Sequence, residues 1–137
     1  MIEIKKITAK NTWPLRHAVM WPDKPIHYIQ LPKDQEGIHF GLYADHQLCS
    51  VISLFIDGNE AQFRKFATVV AEQGKGYGSQ LLHYLMQEAK HQQVQRVWCN
   101  ARKDKIGFYH RFGLEETEKE FDKGGIRYVV MEKKETT

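Results

Sequence analysis

The sequence predicts an α/β domain built on a mixed sheet that carries helices on both of its faces. Apolar residues recur at helical spacing near residues 11–20 and 78–92, which predicts two amphipathic helices. Seven other short segments alternate in polarity or are rich in β-branched and aromatic residues, as strands are. Because strands and helices are interleaved along the chain, we expect one mixed sheet instead of separate layers.

The first third of the chain is predicted to hold one strand, one helix and an irregular segment. Residues 2–7 alternate like a strand, and Asn11 or Thr12 is placed to cap the helix. The helix should end before the first of three prolines. Those prolines make residues 21–37 mostly irregular, with one short helical stretch at 26–29.

The middle of the chain is predicted to form a hairpin, a further strand and the second helix. Residues 38–43 and 48–56 flank Asp45-His46, which predicts the hairpin, and residues 61–70 predict the next strand. One apolar stripe marks the core-facing side of the second helix. Its members are Leu81, Leu82, Leu85, Met86 and Ala89.

The last part of the chain is predicted to add three strands. Residues 94–101 are typical of a buried strand, and residues 115–121 and 126–132 form a pair joined through Gly124-Gly125. With 137 residues in all, the chain suits one domain with one core, so residues 1–137 are predicted to be a single domain.

Composition excludes several classes of protein. A net charge of +3 is too small to argue for nucleic-acid binding, and no apolar run approaches the ~20 residues of a membrane span. The two cysteines, Cys49 and Cys99, provide no disulfide framework and are expected to be small buried core residues. The cytoplasm is therefore the expected compartment.

The most informative segment is the glycine-rich run Gln73-Gly74-Lys75-Gly76-Tyr77-Gly78-Ser79. It follows a strand-like run and leads into the second helix, so its glycines let the backbone approach a ligand closely. A helix N-terminus beyond such a turn is suited to bind a phosphate or pyrophosphate. The spacing fits neither a P-loop nor a dinucleotide-binding fingerprint.

This run resembles the pyrophosphate loop of the GNAT superfamily of N-acetyltransferases, written (Gln/Arg)-x-x-Gly-x-(Gly/Ala). Gln73, Gly76 and Gly78 match that pattern. A second GNAT signature follows at the expected distance: a strand ending in Asn100-Ala101-Arg102, then Phe108-Tyr109, then Phe112-Gly113-Leu114. The resemblance implies the GNAT fold, in which the two middle strands of a mixed sheet splay apart.

The resemblance also implies that acetyl-CoA is the cosubstrate and indicates which residues bind it. Phe66, Ala67 and Thr68 would pair through their backbone with the pantetheine arm at a bulged strand. The loop amides would hold the pyrophosphate, and Lys75 could add a charge. The predicted cofactor-binding residues are Phe66, Ala67, Thr68, Gln73, Gly74, Lys75, Gly76, Tyr77, Gly78, Ser79, Asn100, Arg102 and Phe108.

Tyr109 occupies the position at which many GNAT enzymes carry the tyrosine that protonates the departing thiolate. Several relatives carry a glutamate base eleven residues before the first residue of the loop, but that position is Gln62 here. An amide cannot accept the proton, so Glu60 acting through water, or water alone, is left as the base. The histidines have no metal-ligand spacing, and no metal is expected.

The function predicted from these features is acetyl-CoA-dependent N-acetylation of a primary amine by direct transfer in a ternary complex. The acceptor is a small-molecule or peptide amine of open identity, and a homodimer, common among relatives, is possible. One alternative is a CoA-binding sensor or interaction module without turnover, favoured by Gln62. Another, a nucleotide- or phosphosugar-binding protein, leaves the second signature unexplained.

Overall fold

The computed structural model describes residues 1–135 and contains a seven-stranded mixed sheet with α-helices on both faces. The strands are β1 Ile2–Ile7, β2 Ile38–Ala44, β3 Gln47–Asp57, β4 Glu60–Thr68, β5 Arg96–Arg102, β6 Glu115–Lys123 and β7 Ile126–Lys134. The helices are α1 Ala9–Met20, α2 Tyr77–His91 and α3 Ile106–His110, with 3-10 turns at Ile26–Ile29, Asp34–Glu36, Val70–Glu72 and Lys103–Lys105.

The sheet has the order β1-β2-β3-β4-β5-β7-β6, and the β4–β5 pair is its parallel one. The two strands share only the pairs Glu60 with Arg96, Ala61 with Val97 and Gln62 with Trp98. Beyond Gln62 both strands continue without pairing to each other. The predicted gap between the two middle strands is therefore present, and it opens toward the carboxyl ends of both strands.

Two apolar clusters fix the helices to opposite faces of the sheet. The larger lies under α2 and α3 and includes Leu81, Leu82, Leu85 and Ala89 of the predicted stripe, with Met86 at its margin. The smaller joins Leu15 of α1 to Val51 and Ala67 of the sheet. Both cysteines are buried, as expected. No helix within residues 1–135 is long and apolar enough to cross a bilayer.

Helix α1 starts earlier than the sequence predicted, because Thr8 caps it instead of Asn11 or Thr12. The Thr8 hydroxyl accepts from the Asn11 N–H at 3.2 Å, and the Asn11 side chain accepts from the Thr8 N–H at 3.2 Å. This reciprocal pair is a capping box with asparagine in its third position. Thr12 is buried and donates to the carbonyl of Ala9. Pro14 lies inside the helix, beyond its first turn.

Strand β4 also differs from the prediction, since it ends at Thr68 and not at residue 70. The Gln73 side-chain amide donates to the carbonyl of Thr68 at 2.9 Å, and a 3-10 turn follows at Val70–Glu72. The remaining boundaries lie within about two residues of those predicted, and the 3-10 turn at Ile26–Ile29 coincides with its prediction.

A buried ion pair that the sequence analysis did not find anchors α1 to the sheet. Arg16 is 0% exposed and binds both carboxylate oxygens of Asp34, at 2.8 and 3.0 Å. The guanidinium also donates to the hydroxyl of Ser53 on β3 at 2.9 Å and to the carbonyl of Ile29 at 3.1 Å. Trp13 and the Leu31 N–H donate to Asp34 as well, so the carboxylate is fully engaged.

Replacing Asp34 with asparagine should destabilise the fold by about 3–5 kcal/mol, because Arg16 would remain buried without its counter-charge. Chemical denaturation followed by circular dichroism measures the loss. Glu36→Gln, in the same 3-10 turn but exposed, is the matched control and should change stability little. An Asp34→Asn protein as stable as the wild type would contradict the anchoring role.

The pH dependence of this contribution has a defined sign. Burial opposes ionisation of Asp34, but hydrogen bonds from Arg16, Leu31 and Trp13 outweigh it and lower the pKa. The stabilisation is therefore complete above the unfolded-state pKa and is lost as the pH falls through the folded-state pKa.

Candidate active site

The gap between β4 and β5 is shaped by a bulge in β4. Ser53 pairs with Arg64 and Val51 pairs with Ala67, so Lys65 and Phe66 together lie opposite the one β3 residue between them. Lys65 has a φ of 56°, a left-handed conformation that is uncommon for a side-chain-bearing residue. A bulge of this kind twists the strand and redirects its side chains. The bulge therefore includes Phe66, the first of the three residues predicted to contact the pantetheine arm.

The glycine-rich loop presents unpaired backbone N–H groups at the start of α2. Within the described chain, the N–H groups of residues 74–79 donate to no protein acceptor. Helix α1 is capped by side chains, whereas α2 has Gly76 at its N-cap and no side-chain cap. A helix that leaves its first N–H groups open offers them, with its dipole, to an anion.

The conformation of this loop explains two of its glycines. Gly74 and Gly76 have φ angles of 85° and 83°, which side-chain-bearing residues rarely adopt. A Cβ at either position would meet no protein atom within 4 Å, so both face open space. At Gly78 a Cβ would lie 3.3 Å from the ring of Phe66, which packs the loop against β4.

The polar side chains of the loop are partly engaged within the protein. Gln73 is bound to the carbonyl of Thr68, as described above, so it ties the loop to the end of β4. Lys75 forms an exposed ion pair with Glu72 at 2.7 Å, which raises the pKa of Lys75. The structure therefore presents backbone groups, more than loop side chains, to a phosphate.

Tyr109 lies on α3, on the same face of the sheet as α2. Its ring packs at 5.9 Å from that of Phe63 on β4 and at 5.2 Å from that of Phe108. Burial raises the pKa of Tyr109, the nearby Cys99 adds to the effect, and Arg102 opposes it. The raised pKa keeps the phenol protonated at neutral pH, and its hydroxyl has no hydrogen-bond partner among residues 1–135.

Phe108 links the helix to the bulge. Its ring lies 6.2 Å from that of Phe66 and 5.2 Å from that of Phe112, and Arg111 lies over it at 5.6 Å. Phe66 in turn contacts the loop at Gly78. This aromatic row places the bulge, the glycine loop and Tyr109 around one space.

Asn100 and Arg102 lie on the other face of the sheet from α2. Val97, Cys99 and Ala101 point into the large cluster, so the alternating residues of β5 face away from it. Asn100 and Arg102 are both exposed there. Their side chains therefore face the side of the sheet on which α1 lies, while the glycine loop joins α2 on the opposite side.

Glu60 lies at the closed end of the gap. It is the first residue of β4, is about half exposed and approaches Arg96 at 3.5 Å. Arg96 binds Glu132 more closely, at 2.6 Å. Glu60 is in the first of the three β4–β5 pairs, two residues before the gap begins, and it alternates with Phe63, on which Tyr109 packs, to the other face of the sheet. This position argues against Glu60 as a direct base. Gln62 forms the last pair, where the gap begins.

Two basic residues of the bulge, Arg64 and Lys65, belong to the site but were given no role by the sequence analysis. Burial first, and then the charges of Arg64, Arg16 and Lys123, lower the pKa of Lys65 to about 8. Only Asp34 opposes them among the contributing groups. The sequence shows that basic residues cluster around the two signatures. It does not show that the Arg64 and Lys65 side chains lie close together, because that depends on the bulge.

The described residues contain no cluster of three or more side chains suited to hold a metal ion. Cys99 is buried, and burial raises the pKa of its thiol to about 12, so it is a poor nucleophile at neutral pH. The chemistry of the gap is consequently that of an anion-binding loop, a free phenol and a group of cations.

Comparison with known proteins agrees with this architecture. A family model described as an acetyltransferase (GNAT) domain matches residues 15–135. The uncharacterized N-acetyltransferase YitI of Bacillus subtilis (strain 168) is 31% identical over 143 residues, covering 97% of this chain and 96% of YitI.

Two solved structures illustrate the likeness of the folds. A Lactobacillus plantarum protein superposes with a TM-score of 0.85 at 21% identity, over 97% of each chain. A GNAT family acetyltransferase from Elizabethkingia anophelis, solved with acetyl-CoA bound, superposes with a TM-score of 0.76 at 16% identity, again over 97% of each chain. At these identities the structural likeness shows the fold alone.

The family model covers most of the chain, and the Bacillus relative matches it almost from end to end. Both findings confirm the resemblance drawn from the glycine loop and the Asn100–Leu114 signature. The chain therefore belongs to the GNAT superfamily of N-acetyltransferases and is an acetyltransferase.

Proposed function

We propose that the protein transfers the acetyl group of acetyl-CoA directly to a primary amine, with both substrates bound together in the gap between β4 and β5. The observation that carries the proposal is the unpaired run of N–H groups at residues 74–79, which opens onto the same space as Tyr109. We assign the protein to the cytoplasm, since its two cysteines are buried and unpaired.

The residues around the gap fit coenzyme A. Six backbone N–H groups without acceptors and two glycines facing open space suit a pyrophosphate. The inner edge of β4 beyond Gln62 has no strand partner, so its backbone groups at Phe66 and Thr68 can pair with the amides of the pantetheine arm. Acetyl-CoA supplies an activated acetyl group as a thioester.

Tyr109 is the proposed acid. As the carbon–nitrogen bond forms and the carbon–sulfur bond breaks, the departing thiolate needs a proton, while the newly acylated nitrogen loses one to solvent, from which Tyr109 is reprotonated. A phenol kept protonated by its surroundings can donate it, and a thiolate whose conjugate acid has a pKa of ~8.5 is less basic than a phenolate. Complete transfer of the proton from Tyr109 to the thiolate is therefore unfavourable, and the phenol stabilises the thiolate mainly through a hydrogen bond in the transition state.

The proposed route involves no acetylated protein intermediate. An indirect route needs a reactive nucleophile in the gap, and Cys99, the thiol nearest to Tyr109, is buried with a raised pKa. The amine must then attack the thioester itself, after it has lost a proton to water. Gln62 in place of a glutamate supports this use of water.

The alternative of a CoA-binding module without turnover rests on Gln62, which replaces the base that several relatives carry, and membership of an acetyltransferase family counts against it. It shares the cosubstrate site with the first proposal and differs in predicting no product. The experiments below separate the two.

The loop is tested by Gly76→Ala. Its Cβ would enter the space proposed for the pyrophosphate, so affinity for acetyl-CoA should fall at least about tenfold, as loss of charge-assisted hydrogen bonds does. Isothermal titration calorimetry measures it. Gly58→Ala is the matched control: Gly58 also has a positive φ of 63° and faces open space, but lies in the β3–β4 turn. Equal affinities in both variants would remove the basis for the loop site.

The acid is tested by Tyr109→Phe, which keeps the ring and removes the donor. Turnover should fall by about 10²–10⁴-fold, while acetyl-CoA affinity stays within a few fold. Steady-state release of free thiol with an accepted amine gives the rates. Tyr84→Phe, on α2 where the ring packs against Phe40 of β2 and the residue is 37% exposed, is the control and should keep wild-type turnover. Wild-type turnover in Tyr109→Phe would exclude the acid role.

The route of amine deprotonation is tested by a pH profile. If water accepts the proton, kcat/KM should rise with pH until the pH reaches the pKa of the amine. Glu60→Gln should leave this profile unchanged. Should the wild type instead have an acidic limb near a carboxylate pKa that Glu60→Gln abolishes, then Glu60 is the base after all.

A further inference from the structure

We propose that the acceptor amine carries an anionic group, a carboxylate or a phosphate, which Arg64 and Lys65 bind on the α1 side of the sheet. This inference rests on the proposed function and adds the chemical class of the acceptor.

The strand pairing fixes the direction of Arg64. Arg64 lies opposite Ser53, and residues directly opposite each other in a sheet point to the same face. The Ser53 hydroxyl accepts from Arg16 of α1 at 2.9 Å, so that face is the one covered by α1. Arg64 consequently points toward the side of the sheet away from α2 and the glycine loop.

The bulge brings Lys65 to the same place. Its left-handed backbone adds a residue to β4 and lets two consecutive basic side chains approach the buried Arg16. The charges of Arg64, Arg16 and Lys123 all disfavour the ammonium form of Lys65, which locates them near it. Lys123 comes from the far end of the β6–β7 hairpin, so three separate elements supply the cluster.

These cations have no counter-charge of their own. Within residues 1–135 no carboxylate lies within 4 Å of the side-chain nitrogens of Arg64, Lys65 or Lys123. Asp34, the acidic group near them, is already bound by Arg16, Trp13 and Leu31. Elsewhere in the chain the partly buried Arg96 has both Glu60 and Glu132 as partners.

A charged side chain without a counter-charge is destabilising where it is partly shielded from water, as Arg64 and Lys65 are. Lys65 is half-buried, and burial is the first cause of its lowered pKa. Arg64 is exposed overall, but its guanidinium is partly buried. This burial, and after it the charge of Arg16, lower the pKa of Arg64 as well. A bound anion would relieve the repulsion among these charges and restore the ammonium form of Lys65.

The location assigns this anion to the acceptor and not to the cosubstrate. Arg64 lies two residues beyond the last β4–β5 pair, at the edge of the gap. The glycine loop contacts the opposite face, where the Phe66 ring reaches Gly78. On β5, Trp98, Asn100 and Arg102 face the same side of the sheet as Arg64, and Asn100 and Arg102 are exposed there. The sheet thus separates this cluster from the loop proposed for the pyrophosphate.

The chemistry favours one class of amine. Arginine binds carboxylate and phosphate through two parallel hydrogen bonds, and lysine adds a point charge. Amino acids and phosphorylated amino sugars carry such groups beside an amine. Polyamines and aminoglycosides carry only positive charge and would be repelled by the same cluster.

The test compares matched acceptors on the whole protein. Each amino acid is paired with its carboxamide, and an amino-sugar phosphate is paired with the unphosphorylated sugar. Binding to the CoA-saturated protein is measured by calorimetry, and kcat/KM is measured with acetyl-CoA. We expect the anionic member of at least one pair to bind at least about tenfold more tightly than its neutral partner. The pair that responds distinguishes a carboxylate from a phosphate.

Variants locate the effect. Arg64→Gln and Lys65→Gln should each remove most of the preference for the anionic member and leave acetyl-CoA affinity within a few fold of wild type. Arg64→Lys should retain part of the preference. Lys90→Gln makes the same change of charge at an exposed position of α2 and should retain all of it. In the wild type, binding of the anion should weaken as the pH rises through about 8, as Lys65 loses its proton.

The outcomes separate this inference from the proposed function. Neutral amines bound as tightly as their anionic partners, or a preference that survives in both Gln variants, would overturn the inference even if acetyl transfer occurs. Anion-selective binding that depends on Arg64 and Lys65, but without any acetylated product, would uphold the binding site and overturn the proposed transfer.

Discussion

Beyond Gln62, strands β4 and β5 stop sharing hydrogen bonds although both continue for several residues. A backbone edge inside a sheet is costly to leave unpaired, so the gap persists only because the strands are held apart by what surrounds them. The aromatic row of Phe66, Phe108 and Phe112 fills one side. The bulge at Lys65 turns β4 away on the other. The loop, the phenol and the cations are all positioned around this one opening.

The two faces of the sheet present different groups to the gap. On the α2 face, α2 begins without a side-chain cap beside the large apolar cluster, and its open backbone N–H groups are where we propose that the cosubstrate binds. On the α1 face, a buried ion pair between Arg16 and Asp34 fixes the helix against β3. That ion pair also brings a third positive charge beneath Arg64 and Lys65. A positive environment lowers the pKa of a nearby ammonium group, as it does that of Lys65.

Local patterns predicted the elements that depend on local physics. The loop, the stripe of α2, the short helical stretch at Ile26–Ile29 and the gap between the two middle strands followed from spacing and from the family resemblance. The Arg16–Asp34 pair joins residues eighteen positions apart in segments without a motif, so no spacing marked it. The capping box was missed because Asn11 replaces the usual glutamate. The bulge in β4 was expected from the resemblance, but the left-handed conformation of Lys65 within it was not, because lysine rarely adopts that backbone conformation.

The strand order also divides the sheet into halves that are joined by little hydrogen bonding. Strands β1 to β4 form a meander of sequence neighbours, β5, β7 and β6 form the rest, and three residue pairs connect the halves. A cosubstrate lying along this seam would clamp the halves together, and at about 100 times its Kd it would add ~2.7 kcal/mol to the stability of the fold. A higher concentration of acetyl-CoA in the cell would then slow the degradation of the protein, so that the amount of the enzyme would rise and fall with the concentration of its cosubstrate.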